Sequence, residues 1–447
     1  MDYDLLIVGA GPAGYVAGIR AGQLGLKAAI IEKGHLGGMC LNWGCIPTKS
    51  LLESARLYKK IKKAEDFGID GIFPKTIFFN WQKAIFRTRR IVDRLSKGIS
   101  MLLEKNGVTL IQGTGEIASP TCVIVERRMI SAPNIFLATG SKPKNLDLPV
   151  PKEMMLEIED LFQLEILPES IVIVGNGSTA VELCQFFAMI GKQVNLVSEE
   201  ETILPALDPY LSDFAEKKLR SMGVGIFLKT KITGYDKEGV LCDEQKIACQ
   251  KILNSQEREA ILPFSTIPID KKDGFVKVNG HLQTNYSSIF AIGDINGIQT
   301  LAHVASAQAL HAVNYIKGID SPLDYCCCPL NMYSEPEMAQ AGLTEPQLKK
   351  AKVEYKITEF PLSANAKAMI EGSTEGILRL LSERKYGEVL GVQIIAPHAT
   401  DMISEAVAIM QMEGTIYDVA KVMHAHPTTS EIFLEAGWAA IDKALHL

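Results

Sequence analysis

The sequence contains the same glycine pattern twice, each time directly after a short apolar run, and this pattern restricts the fold more than any other feature. The first copy lies in DYDLLIVGAGPAGYVAGIRAGQLGLKAAIIEKG, where Gly9, Gly11 and Gly14 form G-x-G-x-x-G. Such glycines permit a tight turn, let a pyrophosphate approach the backbone and let a helix pack on the strand, with the helix N-terminus facing the phosphates. Glu32 ends the next predicted strand, where an acid can bind a ribose hydroxyl. The segment therefore predicts a dinucleotide site.

The second copy lies in ESIVIVGNGSTAVELCQFFAMIGKQVNLVSEEE and has alanine at its last position. Gly175, Gly177 and Ala180 form G-x-G-x-x-A, again after an apolar run. The next predicted strand ends at Ser198 and Glu199, and no Arg or Lys follows at once to bind a 2′-phosphate. This absence favours NAD over NADP. Two such sites in one chain imply two dinucleotides, and a flavin with a nicotinamide is the natural pair.

The composition narrows the class of protein further. The chain has 447 residues, more than one hydrophobic core usually spans, so we expect two or three domains. The formal net charge of −6 gives no reason to expect nucleic acid or an anionic membrane as a partner. No apolar run approaches the roughly 18 residues that a membrane span needs, and the start lacks the basic region of a signal peptide. Nine cysteines in so long a chain do not indicate a secreted disulfide scaffold, so we expect a soluble, cytoplasmic protein.

Two cysteines, Cys40 and Cys45, stand close together in GGMCLNWGCIPTKSLL. An unbroken helix would separate their Cα atoms by about 7.5 Å, and a disulfide tolerates roughly 7 Å at most. Gly44 and Pro47 relieve this problem, because glycine lets the chain bend and proline suits the first turn of a helix. Cys45 would then lie near a helix N-terminus, which lowers a thiol pKa. A redox pair is the favoured interpretation; a metal site, which needs two further ligands, and structural cysteines are the alternatives.

Other candidate residues have both a chemical and a purely structural interpretation. Lys49 follows Cys45 by four residues and would share its helix face, or it is simply solvated. His426 is a candidate base, because a neutral histidine can remove a thiol proton, although such a histidine is more often structural. Glu431 could orient its ring. The run CCC at 326–328 is expected to pack in a strand. Because adjacent side chains of a strand diverge, these three cysteines would be poor metal ligands.

The segment GGMCLNWGCIPTKSLL resembles the redox-active disulfide segment of the class I pyridine nucleotide–disulfide oxidoreductases. Within that family it is most similar to the enzymes that oxidise dihydrolipoamide. The likeness runs along nearly the whole chain, in the family's order, through ATGSKP, QTNYSSIFAIGDIN, LAHVASAQ, YSEPEMAQAGLTE and HAHPTTSE. It implies an α/β fold with two Rossmann-like domains, for FAD and NAD, and a C-terminal α+β dimerisation domain. The implied boundaries are 1–144 and 272–322 (FAD), 145–271 (NAD) and 323–447 (dimerisation).

The resemblance also implies a mechanism. His426 of one subunit of a homodimer would take a proton from a dihydrolipoyl thiol, with Glu431 orienting the ring. The thiolate would attack Cys40 in the other subunit, and Cys45 would leave as the thiolate beside FAD. Electrons would then pass to NAD. The implied partners are the lipoyl domains of a 2-oxo acid dehydrogenase complex or of the glycine cleavage complex.

Further residues receive roles from the resemblance alone. Lys49 would lie near the flavin and pair with Glu182, and Asp294 would bind the ribityl chain. The residues implied to contact FAD are Gly9, Gly11, Gly14, Glu32, Lys49, Gly115, Ala138, Thr139, Gly140, Asp294 and Ala302. Those implied to contact NAD are Gly175, Gly177, Ala180, Glu182, Ser198 and Glu199.

The sequence departs from the family in two places. The family closes its NAD domain with a glycine–arginine–x–proline turn, and here Gln256 and Glu259 stand where the glycine and the proline are expected. Ser198 stands where an acid is usual, with Glu199 as a possible substitute. Two alternatives therefore stay open: another disulfide reductase of the same family, or a non-catalytic flavoprotein that assembles with a lipoyl-bearing complex. A glutathione-type reductase would need arginines after the second Rossmann strand, and SEEE offers none.

Overall fold

A computed structural model describes residues 1–236, 238–243, 245–320 and 322–446. The chain forms two compact units, each built from three segments. The first unit comprises Met1–Ser54, Phe78–Leu167 and Leu253–Leu323, and the second comprises Ala55–Ile77, Pro168–Ile252 and Asp324–Leu447. The division into three domains stays a prediction. Within the described ranges, no helix combines the length and the apolar character needed to cross a membrane.

The helices and strands have the following bounds. The helices are α1 (Pro12–Gln23), α2 (Gly38–Asn42), α3 (Cys45–Ile61), α4 (Trp81–Lys105), α5 (Ile158–Leu161), α6 (Ser178–Met189), α7 (Pro209–Ser221), α8 (Ala302–Ile316), α9 (Glu345–Ala351), α10 (Ala366–Ile370), α11 (Ala399–Gln411), α12 (Ile416–Lys421) and α13 (Glu431–Ala440). The strands are β1 (Leu5–Val8), β2 (Ala28–Glu32), β3 (Thr109–Gln112), β4 (Gly115–Ser119), β5 (Cys122–Val125), β6 (Arg128–Ser131), β7 (Asn134–Leu137), β8 (Ser141–Pro143), β9 (Met155–Leu156), β10 (Ser170–Val174), β11 (Gln193–Val197), β12 (Gly225–Phe227), β13 (Ile232–Asp236), β14 (Gly239–Cys242), β15 (Gln245–Ala248), β16 (Lys251–Asn254), β17 (Arg258–Ala260), β18 (Lys271–Lys272), β19 (Phe275–Val276), β20 (Ile289–Ala291), β21 (Leu330–Met332), β22 (Glu337–Gly342), β23 (Tyr355–Pro361), β24 (Ile377–Glu383) and β25 (Val389–Ala396).

The first unit is organised around a parallel sheet in the order β20-β7-β1-β2-β3. Strand β1 is fully buried, which explains why its sequence is an unbroken apolar run. Helices α1 and α8 share a buried core rich in alanine, including Ala17, Ala21 and Ala309. The antiparallel sheet β4-β5-β6 completes the unit. This is the dinucleotide-binding architecture that the first glycine pattern predicts.

The second unit repeats the strand–turn–helix arrangement and adds a different sheet. Strands β10, β11 and β12 are parallel neighbours, and β13, β14 and β15 form antiparallel hairpins. The C-terminal region is an antiparallel sheet in the order β21-β22-β25-β24-β23, whose core includes residues of α11 and α13. The predicted fold class is thereby confirmed.

One local prediction in the second unit is wrong. The run at 326–328 lies in a turn before β21 and not in a strand. The N–H of Cys326 donates to Asp324 Oδ1 (2.8 Å), and the N–H of Cys328 donates to the carbonyl of Tyr325 (3.2 Å). An aspartate that accepts from the backbone two residues onward favours a turn, and this local bond prevails over the strand propensity of the apolar run.

Candidate active site

The first glycine turn is closed by backbone contacts that leave no room for side chains. Gly9 has φ of 107°, and a Cβ there would lie 2.3 Å from the carbonyl oxygen of Ala138. A Cβ on Gly14 would lie 1.9 Å from the carbonyl oxygen of Gly9. Both positions therefore require glycine so that β1, the turn and α1 can pack together.

The middle glycine of this turn has a different surrounding. Gly11 has ordinary extended dihedral angles, and a Cβ there would meet no atom within 4 Å. Open space thus lies beside the N-terminus of α1, where a phosphate is stabilised. Glu32 holds the turn from the end of β2, because its Oε2 accepts from Ala10 N–H and its Oε1 from Gly34 N–H, both at 2.7 Å. This open, preformed cradle fits the pyrophosphate and ribose of a dinucleotide such as FAD.

The second glycine turn is similar in outline and differs at its last position and at the following acid. Gly175 has φ of 141°, and a Cβ on Gly177 would again meet nothing within 4 Å. Ala180 is fully buried where the first turn has glycine. Ser198 is buried at the end of β11, and its Oγ accepts from the N–H of Glu200 at 3.1 Å. Glu199 is exposed, so the residue expected to replace the usual acid lies in solvent.

The two closely spaced cysteines form a disulfide, as predicted. Cys40 lies in α2, Cys45 is the first residue of α3, and their Cα atoms are 4.6 Å apart. The chain bends between the helices, where Gly44 N–H donates to the carbonyl of Met39 at 2.7 Å. Pro47 lies in the first turn of α3. This bend brings the sulfurs together where a continuous helix would keep them apart.

The metal alternative for these cysteines gains no support from the structure. Across the described ranges, no group of three or more His, Cys, Asp or Glu side chains is placed to hold a metal ion. All seven other cysteines of the chain are free. We therefore take forward the interpretation of Cys40 and Cys45 as a redox pair.

Lys49 and Glu182 lie in different units, and their predicted pairing stays a prediction. Lys49 is partly buried on α3, one turn after Cys45. Glu182 is buried on α6, and its Oε1 accepts from the N–H of Tyr333 at 3.1 Å. A buried carboxylate needs such partners, because burial without them is costly. Lys49 lies on the same helix as Cys45, four residues after it, as the sequence predicts.

The second set of predicted flavin contacts converges on an arginine that the sequence analysis did not identify. Asp294 lies in the 3₁₀ turn Gly293–Asn296 and accepts a 2.5 Å hydrogen bond from Ser141 Oγ. Arg258 donates from Nε to Ser141 Oγ at 2.7 Å, and the same nitrogen lies 3.7 Å from Asp294 Oδ2. Its Nη2 contacts the sulfur of Met39, the residue before Cys40, at 3.0 Å. Burial lowers the pKa of the Arg258 guanidinium, and the charge of Asp294 opposes that shift.

Arg258 lies in the segment that replaces the family's glycine–arginine–x–proline turn. Residues Arg258–Ala260 form β17, which pairs antiparallel with β8. The neighbours of Arg258 make outer ion pairs, Glu257 with Lys144 (2.8 Å) and Glu259 with Lys142 (3.2 Å). A short ladder with flanking ion pairs therefore stands where the family has a glycine–proline turn. The signal in the sequence was the single basic residue in SQEREA, flanked by acids that alternate outward.

The remaining predicted flavin contacts lie in β4, in the segment after β7 and at the start of α8. Ala138 continues β7 and donates its N–H to the carbonyl of Val8, and Thr139 Oγ1 donates to the carbonyl of Ile261 at 2.5 Å. Gly140 has φ of 75° with open space around it, whereas Gly115 lies in β4, where a Cβ would be 3.0 Å from Val8 Cγ1. Ala302 begins α8, as the motif LAHVASAQ predicts. Gly115 therefore contributes close strand packing, and Ala138 and Thr139 lie beside the first turn at Gly9.

The two histidines near the C-terminus have distinct surroundings. The side chain of His424 is only 5% exposed, and its Nε2 lies 2.9 Å from Glu405 Oε1; this hydrogen bond, more than the opposing effect of burial, raises the pKa of the ring. The side chain of His426 is 72% exposed, with Nδ1 2.9 Å from Glu431 Oε1. Burial pushes the pKa of Glu431 up, but hydrogen bonds from Thr428 N–H and from His426 outweigh it and hold that pKa below its usual value. The structure thus brings His426 and Glu431 together, and the His426 side chain is largely exposed.

Comparison with known proteins shows which family the chain resembles. Residues 3–309 match the family model described as pyridine nucleotide-disulphide oxidoreductase, and residues 328–437 match the dimerisation domain of that family. A dihydrolipoyl dehydrogenase of Bacillus subtilis is 36% identical over all of this chain and 99% of its own length. The mitochondrial dihydrolipoyl dehydrogenase of Pisum sativum is 34% identical over all of this chain and 93% of its own length. LpdA from Mycobacterium tuberculosis shares the fold with a TM-score of 0.90 and 23% identity, covering 97% of this chain and 99% of LpdA.

Proposed function

This chain belongs to the pyridine nucleotide-disulphide oxidoreductase family, and on that premise we propose that it is a dihydrolipoyl dehydrogenase, which oxidises dihydrolipoamide to lipoamide and reduces NAD. The observation that carries the proposal is the Cys40–Cys45 disulfide at the start of α3. A disulfide in a chain whose other seven cysteines are free is a candidate for chemistry and not for scaffolding. A helix N-terminus stabilises a thiolate at Cys45 when the bond opens.

FAD would be held by the first turn and NAD by the second. Gly11 leaves the space for a pyrophosphate, Glu32 has oxygens directed at the turn, and Asp294 Oδ2 lies 3.7 Å from Arg258 Nε. When bound, FAD supplies the two-electron chemistry that links a dithiol to a nicotinamide. The chain itself supplies the placement of these groups and the proton transfers.

The protein groups would act in sequence on the dithiol. Nδ1 of His426 donates to Glu431, which leaves Nε2 to take a proton from one substrate thiol. The resulting thiolate attacks Cys40, forms a mixed disulfide and displaces Cys45 as a thiolate. The second substrate thiol then closes the lipoamide ring and releases Cys40. Two electrons and two protons leave the substrate, one hydride equivalent reaches NAD and one proton is released.

The assembly we propose is a homodimer that serves protein-bound lipoyl groups. The match to a dimerisation domain supports a dimer, and the exposure of His426 supports its action on a group outside its own chain. Lipoyl domains of a 2-oxo acid dehydrogenase complex or of the glycine cleavage complex are the proposed substrates. The seven free cysteines suit a reducing compartment, so we propose a cytoplasmic location.

A steady-state assay with dihydrolipoamide tests the function directly. The purified holoenzyme should form NADH with NAD and much less NADPH with NADP. Cys45→Ser should lose dithiol-dependent NADH formation by on the order of 10³-fold or more while FAD stays bound. Cys326→Ser, which removes an exposed free thiol, is the matched control and should keep wild-type turnover. A holoenzyme inert toward dihydrolipoamide would instead support the non-catalytic alternative, and one active only with NADPH would support a different disulfide reductase.

A further inference from the structure

Helix α4 carries a concentration of positive charge that the reaction described above does not use. Its 25 residues include seven basic and two acidic side chains, although the whole chain has a formal net charge of −6. The net charge of α4 therefore has the opposite sign to that of the molecule as a whole. Local fields of this kind attract oppositely charged partners and raise their rate of association.

Part of this charge lines a shallow hollow of about 310 Å³. The hollow is formed by Phe86, Arg87, Arg90, Ile91 and Arg94. Phe86 is 64% exposed, an unusual state for an aromatic side chain among cations. In the described part of the chain, neither Arg90 nor Arg94 makes a hydrogen bond or an ion pair, whereas Arg89 donates to the carbonyl of Phe162 at 3.2 Å. Arg90 and Arg94 are also like charges four residues apart, which destabilises a helix. Arg90 and Arg94 thus contribute no stabilising pair to α4 within the described residues.

The hollow is connected to the helix that carries the redox disulfide. Nη1 of Arg87 donates to Ser50 Oγ at 2.9 Å, and that hydroxyl lies 2.7 Å from Thr88 Oγ1. Ser50 is buried on α3, five residues after Cys45, which is about 7.5 Å along the helix. A partner seated in the hollow would therefore be close to the helix whose N-terminus holds the disulfide.

We propose that this hollow, the α4 arginine hollow, docks an acidic polypeptide segment that carries the dithiol substrate. The proposal rests on the proposed function, because it names the kind of partner that brings the dithiol. Free dihydrolipoamide is neutral and gains nothing from three arginines, whereas carboxylates beside a lipoylated lysine would pair with them in bidentate fashion. Phe86 and Ile91 would cover apolar atoms of the same segment. Because the rest of the chain is net acidic, the hollow also fixes where such a partner can approach.

Synthetic substrates separate this proposal from the reaction itself. We would compare two dihydrolipoyl-lysine peptides, one with glutamates and one with glutamines on both sides of the lysine, and measure kcat/KM for each. The holoenzyme should prefer the glutamate peptide about tenfold at low ionic strength, and salt should remove that preference. In R90E/R94E the ratio of the two kcat/KM values should fall to one or below. K271E/K272E, which makes the same charge change at two exposed lysines of β18, should keep the wild-type ratio.

Each other result has a defined meaning. If R90E/R94E keeps the wild-type preference for the glutamate peptide, or if the holoenzyme has no preference, the proposal is wrong. If R90E/R94E becomes monomeric in size-exclusion chromatography, the hollow is an interface between copies of this chain, which also overturns it. If wild-type holoenzyme does not oxidise free dihydrolipoamide, the proposed function fails instead. The docking is then judged by the binding of the fluorescently labelled, oxidised glutamate peptide to wild type and to R90E/R94E.

Discussion

The turn at Gly9–Gly14 and the turn at Gly175–Ala180 follow one pattern, but they differ at their last position and in the surroundings of the acid at the next strand end. In the first, a Cβ at the last position would lie 1.9 Å from a backbone oxygen, whereas the second already has an alanine there. Both oxygens of Glu32 accept backbone N–H groups, but Glu199, at the corresponding strand end, is exposed.

This difference matches the different demands on the two dinucleotides. A cofactor that stays bound through many turnovers gains from a site whose groups are already ordered, because little entropy is lost on binding. A nicotinamide that enters and leaves each cycle needs a site of moderate affinity. The first turn, whose acid is already held by two hydrogen bonds, therefore suits resident FAD, and the second, whose acid is exposed, suits exchangeable NAD.

The largest difference in stability between the two turns is expected for substitutions at the last position of each turn. Gly14→Ala places a methyl group against the Gly9 carbonyl and should destabilise the fold by about 3 kcal/mol or more. Ala180→Gly should cost about 1–2 kcal/mol, because glycine disfavours a helix and a buried methyl group is lost. Urea unfolding and the FAD content of the purified proteins measure both effects. Equal losses in the two variants would show that the turns are not differently constrained.

The middle glycines allow a test that leaves the fold intact. Gly11 and Gly177 have dihedral angles that alanine adopts freely, and an added Cβ meets no protein atom within 4 Å. Gly11→Ala should weaken FAD binding by about 10- to 100-fold, because overpacking against a pyrophosphate costs about 1–3 kcal/mol. Gly177→Ala should raise the KM for NAD by a similar factor and leave FAD bound.

Each of these variants is the control for the other. Cofactor content is measured by absorbance after desalting, and the KM for NAD is measured with added FAD. Loss of FAD from Gly177→Ala, or an unchanged FAD affinity in Gly11→Ala, would contradict the assignment of the two turns.

The first turn and the cysteine pair could be predicted because their causes are local in sequence. Glycines at fixed spacing demand a tight turn, and Gly44 with Pro47 permits the bend that brings two sulfurs together. Arg258 could not be predicted in the same way, because its partners Ser141 and Asp294 lie far away along the chain. Long-range pairs depend on the register of β17 on β8, which no local pattern in the sequence specifies.

The histidines illustrate the same limit at short range. The sequence has histidines on both sides of Ala425, His424 and His426, and only the resemblance selects His426 as the base. In the structure His424 is held inside by Glu405, whereas His426 is exposed and held by Glu431. Burial, which depends on tertiary packing, distinguishes the structural histidine from the candidate base.

Arg258 allows a test of how far FAD binding at the first site depends on contacts that the protein makes beforehand. Arg258→Met removes the cation beside Asp294 and both hydrogen bonds from Arg258 to Ser141, and hydrogen bonds to charged groups contribute about 1.5–3 kcal/mol. We therefore expect FAD to bind about tenfold more weakly. Lys142→Met, which breaks the exposed pair with Glu259 on the same ladder, should leave FAD affinity unchanged. Wild-type FAD retention by Arg258→Met would mean that the flavin site does not depend on this arginine.

The smallest expected effect concerns Glu199 and decides how the second site distinguishes NAD from NADP. An exposed carboxylate that accepts from a ribose hydroxyl contributes little, because water competes for it, so Glu199→Gln should raise the KM for NAD only about threefold. Since that contact is equal in ground and transition states, kcat should not change. The same charge repels a 2′-phosphate, so the ratio of kcat/KM for NAD over NADP should fall as well. Glu200→Gln, at the adjacent exposed acid, is the control. If Glu200→Gln has the larger effect, then Glu200, whose N–H donates to Ser198 Oγ, binds the ribose and Glu199 does not.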